Sequence, residues 1–178
     1  SGTSCKSGGC LSFDGSNDFI RATTSTSLNN TGSAKTVTAW IYRSAVADWQ
    51  RIVGKYYYTG TDDGSWLMYF NSSSTNTILC RFNTGGSWGS ATTPTAVSLG
   101  EWTYAACVYD GSRLYAYLNN ASSSVSKTGV LASSDYPVTV GTTSDGTNTQ
   151  NHFNGRVDGV RIYNKALSAQ EILDEYND

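Results

Sequence analysis

Apolar residues in this chain recur at every second position, and glycine-bearing turns cut each run short. Val37, Ala39 and Ile41 alternate with Thr36, Thr38, Trp40 and Tyr42, while Leu114, Ala116 and Leu118 alternate with Arg113, Tyr115 and Tyr117. A period of two sends successive side chains to opposite faces of an extended strand, so each run describes a strand with two distinct faces. Turn signals separate the runs at Asp14-Gly15, Asp63-Gly64, Gly85-Gly86, Asp110-Gly111 and Asp145-Gly146. Tyr109-Asp110-Gly111-Ser112, between two alternating runs, is the clearest hairpin. The pattern predicts strands near residues 10–14, 18–22, 35–43, 50–57, 65–71, 77–83, 91–97, 101–109, 112–119, 137–142 and 155–163. Polar loops are expected near 44–50, 57–65, 84–90, 120–127 and 143–152. One helix is expected, from about Ala169 to Tyr176, because Ser168-Ala169-Gln170-Glu171 is a capping box and Leu167 and Ile172 form a hydrophobic staple around it. It should pack through Ile172, Leu173 and Tyr176. The fold class is all-β: a single domain over 1–178, built as a two-sheet antiparallel jelly roll sandwich with one short C-terminal helix.

With 178 residues and a net charge of −2, the chain has enough length for a two-layer core and little charge to steer a partner. Lys and Arg are scattered singly, which leaves no basic patch for nucleic acid. No apolar run approaches the roughly 18 residues of a membrane span. The sequence has no signal peptide and no initiator Met, so a processed piece of a larger, multidomain protein is expected. Four cysteines in a polar chain fit an oxidising, extracellular or cell-surface setting. Cys5 and Cys10 bracket a glycine-bearing loop, and Cys80 and Cys107 lie in two separate strand segments. The expected pairs are Cys5–Cys10 and Cys80–Cys107, with buried free thiols the alternative, above all for the second pair. Zinc does not suit these cysteines, which lack a C-x-x-C pair and have one His in the chain to join them.

Several segments, in order, resemble the laminin-G-like jelly roll domains of microbial surface or secreted proteins, part of the concanavalin A-like group that includes pentraxins. They are Leu11-Ser12-Phe13-Asp14-Gly15 through Asp18, Val37 to Ile41, Gly100-Glu101-Trp102-Thr103-Tyr104-Ala105, Tyr109 to Ser112, and the tail from Gly155 to Ile172. Members often carry His where this chain has Tyr104. The resemblance implies a structural calcium ion joining the first strand pair to the last strand. Carried over, Asp18 and Asp158 supply side-chain oxygens and Gly15 a carbonyl, with Asp14 holding the turn. A second, loop-held cation at Asp62, Asp63 and Asp145 is a weaker possibility.

The loop aromatics suit a sugar, whose apolar faces stack on rings while its hydroxyls find Asn, Asp and Gln. Trp49, Tyr57, Trp88, Asp62, Gln150 and His152 are the candidate ligand contacts; against this, alternation can bury Tyr56 or Trp66 in the core. Catalysis has little footing. Three Glu residues, Glu101, Glu171 and Glu175, form no strand-borne carboxylate pair, and His152 has no nucleophile elbow beside it. The expected role is non-catalytic recognition of a glycan or glycoprotein on a cell surface or extracellular matrix. The alternatives are a structural or protein-interaction module of a surface protein or pilus and, further off, a glycoside hydrolase or polysaccharide lyase. The sequons at Asn29, Asn71 and Asn120 carry no weight in so Asn-, Ser- and Thr-rich a chain.

Overall fold

The computed structural model describes residues 5–29, 32–59 and 62–178, apart from the side chains of Asp62 and Asp63. Its strands are β1 (Leu11–Asp14), β2 (Ile20–Ala22), β3 (Lys35–Arg43), β4 (Arg51–Tyr58), β5 (Asp62–Phe70), β6 (Ile78–Thr84), β7 (Ser87–Thr92), β8 (Trp102–Tyr109), β9 (Arg113–Leu118), β10 (Ala121–Ser126), β11 (Val138–Val140), β12 (Thr143–Ser144), β13 (Thr149–Gln150) and β14 (Asn154–Tyr163), followed by helix α1 (Ala169–Asn177). One six-stranded sheet runs β1-β14-β3-β8-β9-β10 and the other β2-β11-β4-β5-β6-β7, while β12 and β13 form a separate hairpin. Every pairing is antiparallel, and the two sheets face each other as a jelly roll sandwich.

The period-two reading decides which residues fill the space between the sheets. Val37, Ala39, Ile41, Leu114, Ala116 and Leu118 all lie in the main core with Trp66, Met68 and Phe82. Their alternates Trp40, Tyr115 and Tyr117 point to the outer face of the first sheet. Cys80 of β6 and Cys107 of β8 join the two sheets through a disulfide with Cα atoms 5.3 Å apart, and Cys5–Cys10 closes the N-terminal loop. All four cysteines are therefore paired.

Helix α1 begins where its caps place it. The Ser168 hydroxyl accepts the Glu171 N–H at 3.2 Å, and the Glu171 carboxylate accepts the Ser168 N–H at 2.8 Å. Leu167 and Ile172 are both buried against Trp40 and Tyr104, and Tyr176 stacks on Trp40 at 5.6 Å. Leu173 turns outward instead of packing as expected.

Besides the β12–β13 hairpin, which falls in the expected loop near 143–152, three more expected loops are hairpins. Gly85 and Gly86, both at positive φ, close a two-residue turn that lets β7 start at Ser87, so the strand placed near 91–97 lies earlier. Asn119 at φ 52 and Asn120 make a second such turn, and the serine-rich run after it becomes edge strand β10 through its pairing with β9. The third is the β4–β5 connection, whose pairing continues out to Tyr58 and Asp62.

Candidate functional site

The two sheets treat their outer faces differently. On the β3-β8-β9 side, α1 covers Trp40 and Tyr104 with its Ile172. On the other side, the β12–β13 hairpin folds over the β2-β11-β4 half alone. Val138 and Val140 fill the core, so Thr139 and its neighbour Arg21 point outward, and both reach that hairpin region: the Thr139 hydroxyl donates to the Thr142 carbonyl, and the Arg21 guanidinium donates to the Gly146 carbonyl. The Thr142 hydroxyl in turn donates to the Gln150 carbonyl at 2.7 Å. Over β5, β6 and β7, no other described element is laid across the sheet.

That open half carries a continuous run of rings and guanidinium groups. Register aligns Arg51, Tyr69, Leu79 and Thr92 in one row across the strands, and Gly54, Leu67, Arg81 and Ser90 in the next. Trp49 stacks on Tyr69 with ring centres 6.2 Å apart. Arg51 lies 4.4 Å from the Tyr69 ring centre and 5.5 Å from that of Tyr56. Tyr56 meets Trp88 edge-on at 5.6 Å, and the Arg81 guanidinium sits 4.7 Å over Trp88. Tyr56, Leu67 and Tyr69 form a buried lower layer, with Trp88 and Leu79 packed against it, while Trp49 is 47% exposed. Stacked rings and cation–π pairs of this kind are each worth about 0.5–1.5 kcal/mol beyond the area they bury.

Trp49 is held there at a conformational cost. Its φ of 60 lies in the left-handed region, which a bulky side chain seldom occupies and which costs about 1–3 kcal/mol. The surrounding loop is fixed by Arg43, whose guanidinium donates to Gln50, Asn76 and the Ala47 carbonyl at 2.8, 2.9 and 3.0 Å. The Asp48 carboxylate accepts the Ser73 N–H, a bond that holds Asp48 below the usual carboxylate range. A strained residue pinned from both sides points to a purpose other than stability.

Arg51 is satisfied less well. It is 6% exposed, and its Nε and Nη1 have no hydrogen-bond partner. Burial drives its pKa down; Tyr69 and Tyr56 oppose that shift, and the neighbouring Arg81 charge adds to it.

The expected ligand residues thus divide. Trp49 and Trp88 share this face, at its two ends. Tyr57 turns away and lies 6.3 Å from Tyr136. Gln150 sits on the covering hairpin and donates to the Tyr58 carbonyl at 3.3 Å. His152 Nε2 is 3.1 Å from the Thr149 hydroxyl, its Nδ1 is buried without a partner, and its ring lies beside Phe19. The side chains of Asp62 and Asp63 fall outside the described residues, and the Asp145 carboxylate accepts the N–H groups of Thr147 and Asn148 within its own turn. Arg51, Arg81 and Tyr69 went unpredicted. For Arg81 a signal existed, since it alternates with the core residues Cys80 and Phe82. For Arg51 a bulge between Arg51 and Val53 hid the phase.

The expected calcium ligands also divide. The Asp18 carboxylate accepts the Asp14 N–H at 3.0 Å, and Asn154 donates to the Asp14 carbonyl at 2.8 Å, so Gly15 and Asp18 share one turn. Asp158 lies at the opposite end of the β1–β14 ladder, where Val157 pairs with Leu11 and Asn154 with Asp14. Four residues of strand, about 13 Å, intervene. The Asp158 carboxylate accepts the Ser7 and Gly159 N–H groups at 3.0 and 2.8 Å and so ties down the Cys5–Cys10 loop. The register therefore sets Asp158 apart from the Gly15–Asp18 turn, so the three expected ligands do not meet at one point. Among the described residues, no three His, Cys, Asp or Glu side chains converge as a metal cluster.

Two of the glutamates, Glu171 and Glu175, are engaged on the helix side. Glu175 pairs with Arg161 at 2.6 Å and accepts the Tyr163 hydroxyl at 2.7 Å. Glu171 pairs with Lys165 and caps α1, which holds its pKa down to about 2. No described helix is long and apolar enough to cross a membrane.

Residues 14–173 match the family described as the concanavalin A-like lectin/glucanases superfamily, in its laminin G 3 model. No curated protein was found to match the sequence. Among solved structures, a native heptameric SAP-like pentraxin from Limulus polyphemus superposes with a TM-score of 0.67 at 17% identity, covering 91% of this chain and 78% of its own. A putative carbohydrate binding protein from Bacteroides ovatus gives 0.70 at 17% identity, with 92% and 47% covered. Mouse laminin alpha1 chain domains LG4-5 give 0.64 at 13% identity, with 89% and 44% covered. The chain thus spans less than half the length of the last two. At these identities the likeness concerns the fold.

Proposed function

Because the chain belongs to the concanavalin A-like lectin/glucanases superfamily and leaves Trp49, Trp88 and Arg81 accessible above a buried layer of rings, we propose that it is a non-catalytic carbohydrate- or glycoprotein-binding module. The observation that carries this reading is the strained, half-exposed Trp49 at one end of a stacked run that ends in Trp88. Sugar faces would stack on these two indoles, and Asn83 and Ser90, which the register places on the same face, would meet hydroxyls. The carbohydrate-binding description of the Bacteroides ovatus neighbour accords with this reading. Two disulfides suit an extracellular or cell-surface protein, in which several such modules on a larger chain would raise weak single-site affinity by multivalency. A structural calcium ion at the Gly15–Asp18 turn belongs to the same proposal. Asp18→Ala should then lower the melting temperature in calcium and not in chelator; an equal loss in both conditions removes the ion from the account.

The test of function is a glycan array probed with the wild type and with the Trp49→Ala, Trp88→Ala double variant. Binding by the wild type that the double variant loses supports the proposal. Binding that survives in the double variant moves the site elsewhere. A second reading, a structural or protein-interaction module without a sugar site, draws on the burial of Tyr56 and Tyr69 beneath Arg51, which leaves less ring surface open than a flat platform would. A silent array would favour it.

A further inference from the structure

Arg51 has a cost that the fold alone leaves unmet. Its guanidinium is nine-tenths enclosed, yet Nε and Nη1 reach no acceptor. A buried cation normally carries a carboxylate or carbonyl partner, because losing water without replacing its hydrogen bonds is expensive. Arg43, one strand away in sequence, shows the usual solution, with three acceptors around its guanidinium. Arg51 instead has the faces of Tyr69 and Tyr56, a single side-chain hydrogen bond with Tyr69 that leaves Nε and Nη1 unpaired and, close by, the charge of Arg81. Rings soften the loss of water but accept no strong hydrogen bond, and a second cation raises the cost.

Resting on the glycan reading above, we propose that this face takes an acidic sugar chain, a polyuronate, with a sugar carboxylate as the acceptor that Nε and Nη1 of Arg51 lack. Trp49 stacks on the same Tyr69 ring that Arg51 packs against, and the proposal sets a uronic acid residue at the edge of that stack, with its carboxylate turned toward the guanidinium. Arg81, over Trp88 further along the run, adds a positive charge in the direction a polymer would extend. A neutral sugar could use the indoles and would leave the Arg51 N–H groups as they are.

Polygalacturonate oligomers and the same oligomers fully methyl-esterified make the test, because the pair differs in charge and shares its stacking faces. Titration calorimetry should show the acid binding about tenfold or more tighter, as a charged hydrogen bond in a water-poor setting allows. The preference should shrink as salt is raised. Arg51→Met should erase the preference without lowering the melting temperature, since it removes an unpaired cation and keeps the length of the stem. If Arg51→Met does not fold, Arg51→Lys answers the question by losing most of the preference. Equal binding of acid and ester, binding of neither, or an unchanged preference in the Arg51 variant overturns the inference. Equal binding leaves the glycan reading standing, whereas that reading itself fails on an array silent to neutral and acidic glycans alike.

Discussion

The outer faces of the two sheets are built from the same kinds of residue and finished in opposite ways. Trp40, Tyr104 and Tyr176 on one side and Trp49, Tyr56, Tyr69 and Trp88 on the other are both stacked aromatic runs. The first is sealed by α1 through Leu167 and Ile172, and its rings serve stability. The second is covered along one half by a short hairpin, and over the rest its lower rings are topped by Arg51. Aromatic content therefore does not mark a site. What distinguishes the open face is a bulky residue at positive φ and a buried cation with two unpaired nitrogens, both of which cost stability.

The comparison breaks most directly at Ile172. Ile172→Ala should cost about 2–5 kcal/mol in denaturant unfolding, because its side chain is enclosed between α1 and the sheet, and should leave glycan affinity unchanged. A loss of binding in that variant would mean that the two faces are coupled. Tyr104 sharpens the contrast through pH. It is fully enclosed, and burial first of all pushes its pKa up to about 12. An acid whose folded pKa is raised keeps its full contribution below its unfolded pKa of about 10 and loses it as the pH climbs toward 12. Unfolding free energy should therefore fall by on the order of 2 kcal/mol over that window, and Tyr104→Phe should flatten the fall. A smaller effect, about 1 kcal/mol, is expected from Ser168→Ala, which removes the hydroxyl that caps α1. Smallest should be Trp49→Gly: glycine relieves the positive φ while the stack on Tyr69 is lost, so the melting temperature should barely move although binding falls. If Trp49→Gly unfolds the protein, Trp49 is structural and the open face loses its main argument.

The sealed face was legible in the sequence and the open one was not, for a physical reason. Alternation from Val37 to Tyr42 and from Arg113 to Leu118 runs without interruption, and the capping box and staple fix the start of α1 at Ala169. The strands of the open face carry bulges between Arg51 and Val53 and between Lys55 and Tyr56, and each shifts the phase by one residue. Hence the run Tyr56-Tyr57-Tyr58 gave no sign that Tyr56 faces the site and Tyr57 turns toward Tyr136. Trp88 reads in the sequence as a loop aromatic, and it is a strand residue placed by the Gly85–Gly86 turn. The separation of Asp18 from Asp158 depends on the register of the β1–β14 ladder, which short, turn-flanked segments do not reveal by themselves.

The link between Cys80 and Cys107 also sets how the domain answers a pull. It spans 27 positions and staples opposite sheets, so that stretch stays a closed loop even after every strand has peeled away. About 90 Å of contour is thereby withheld from any extension. Lys6 and Tyr176 both rest on Trp40, so traction applied near the two ends enters the fold at one ring and need not pass through the aromatic run on the far sheet.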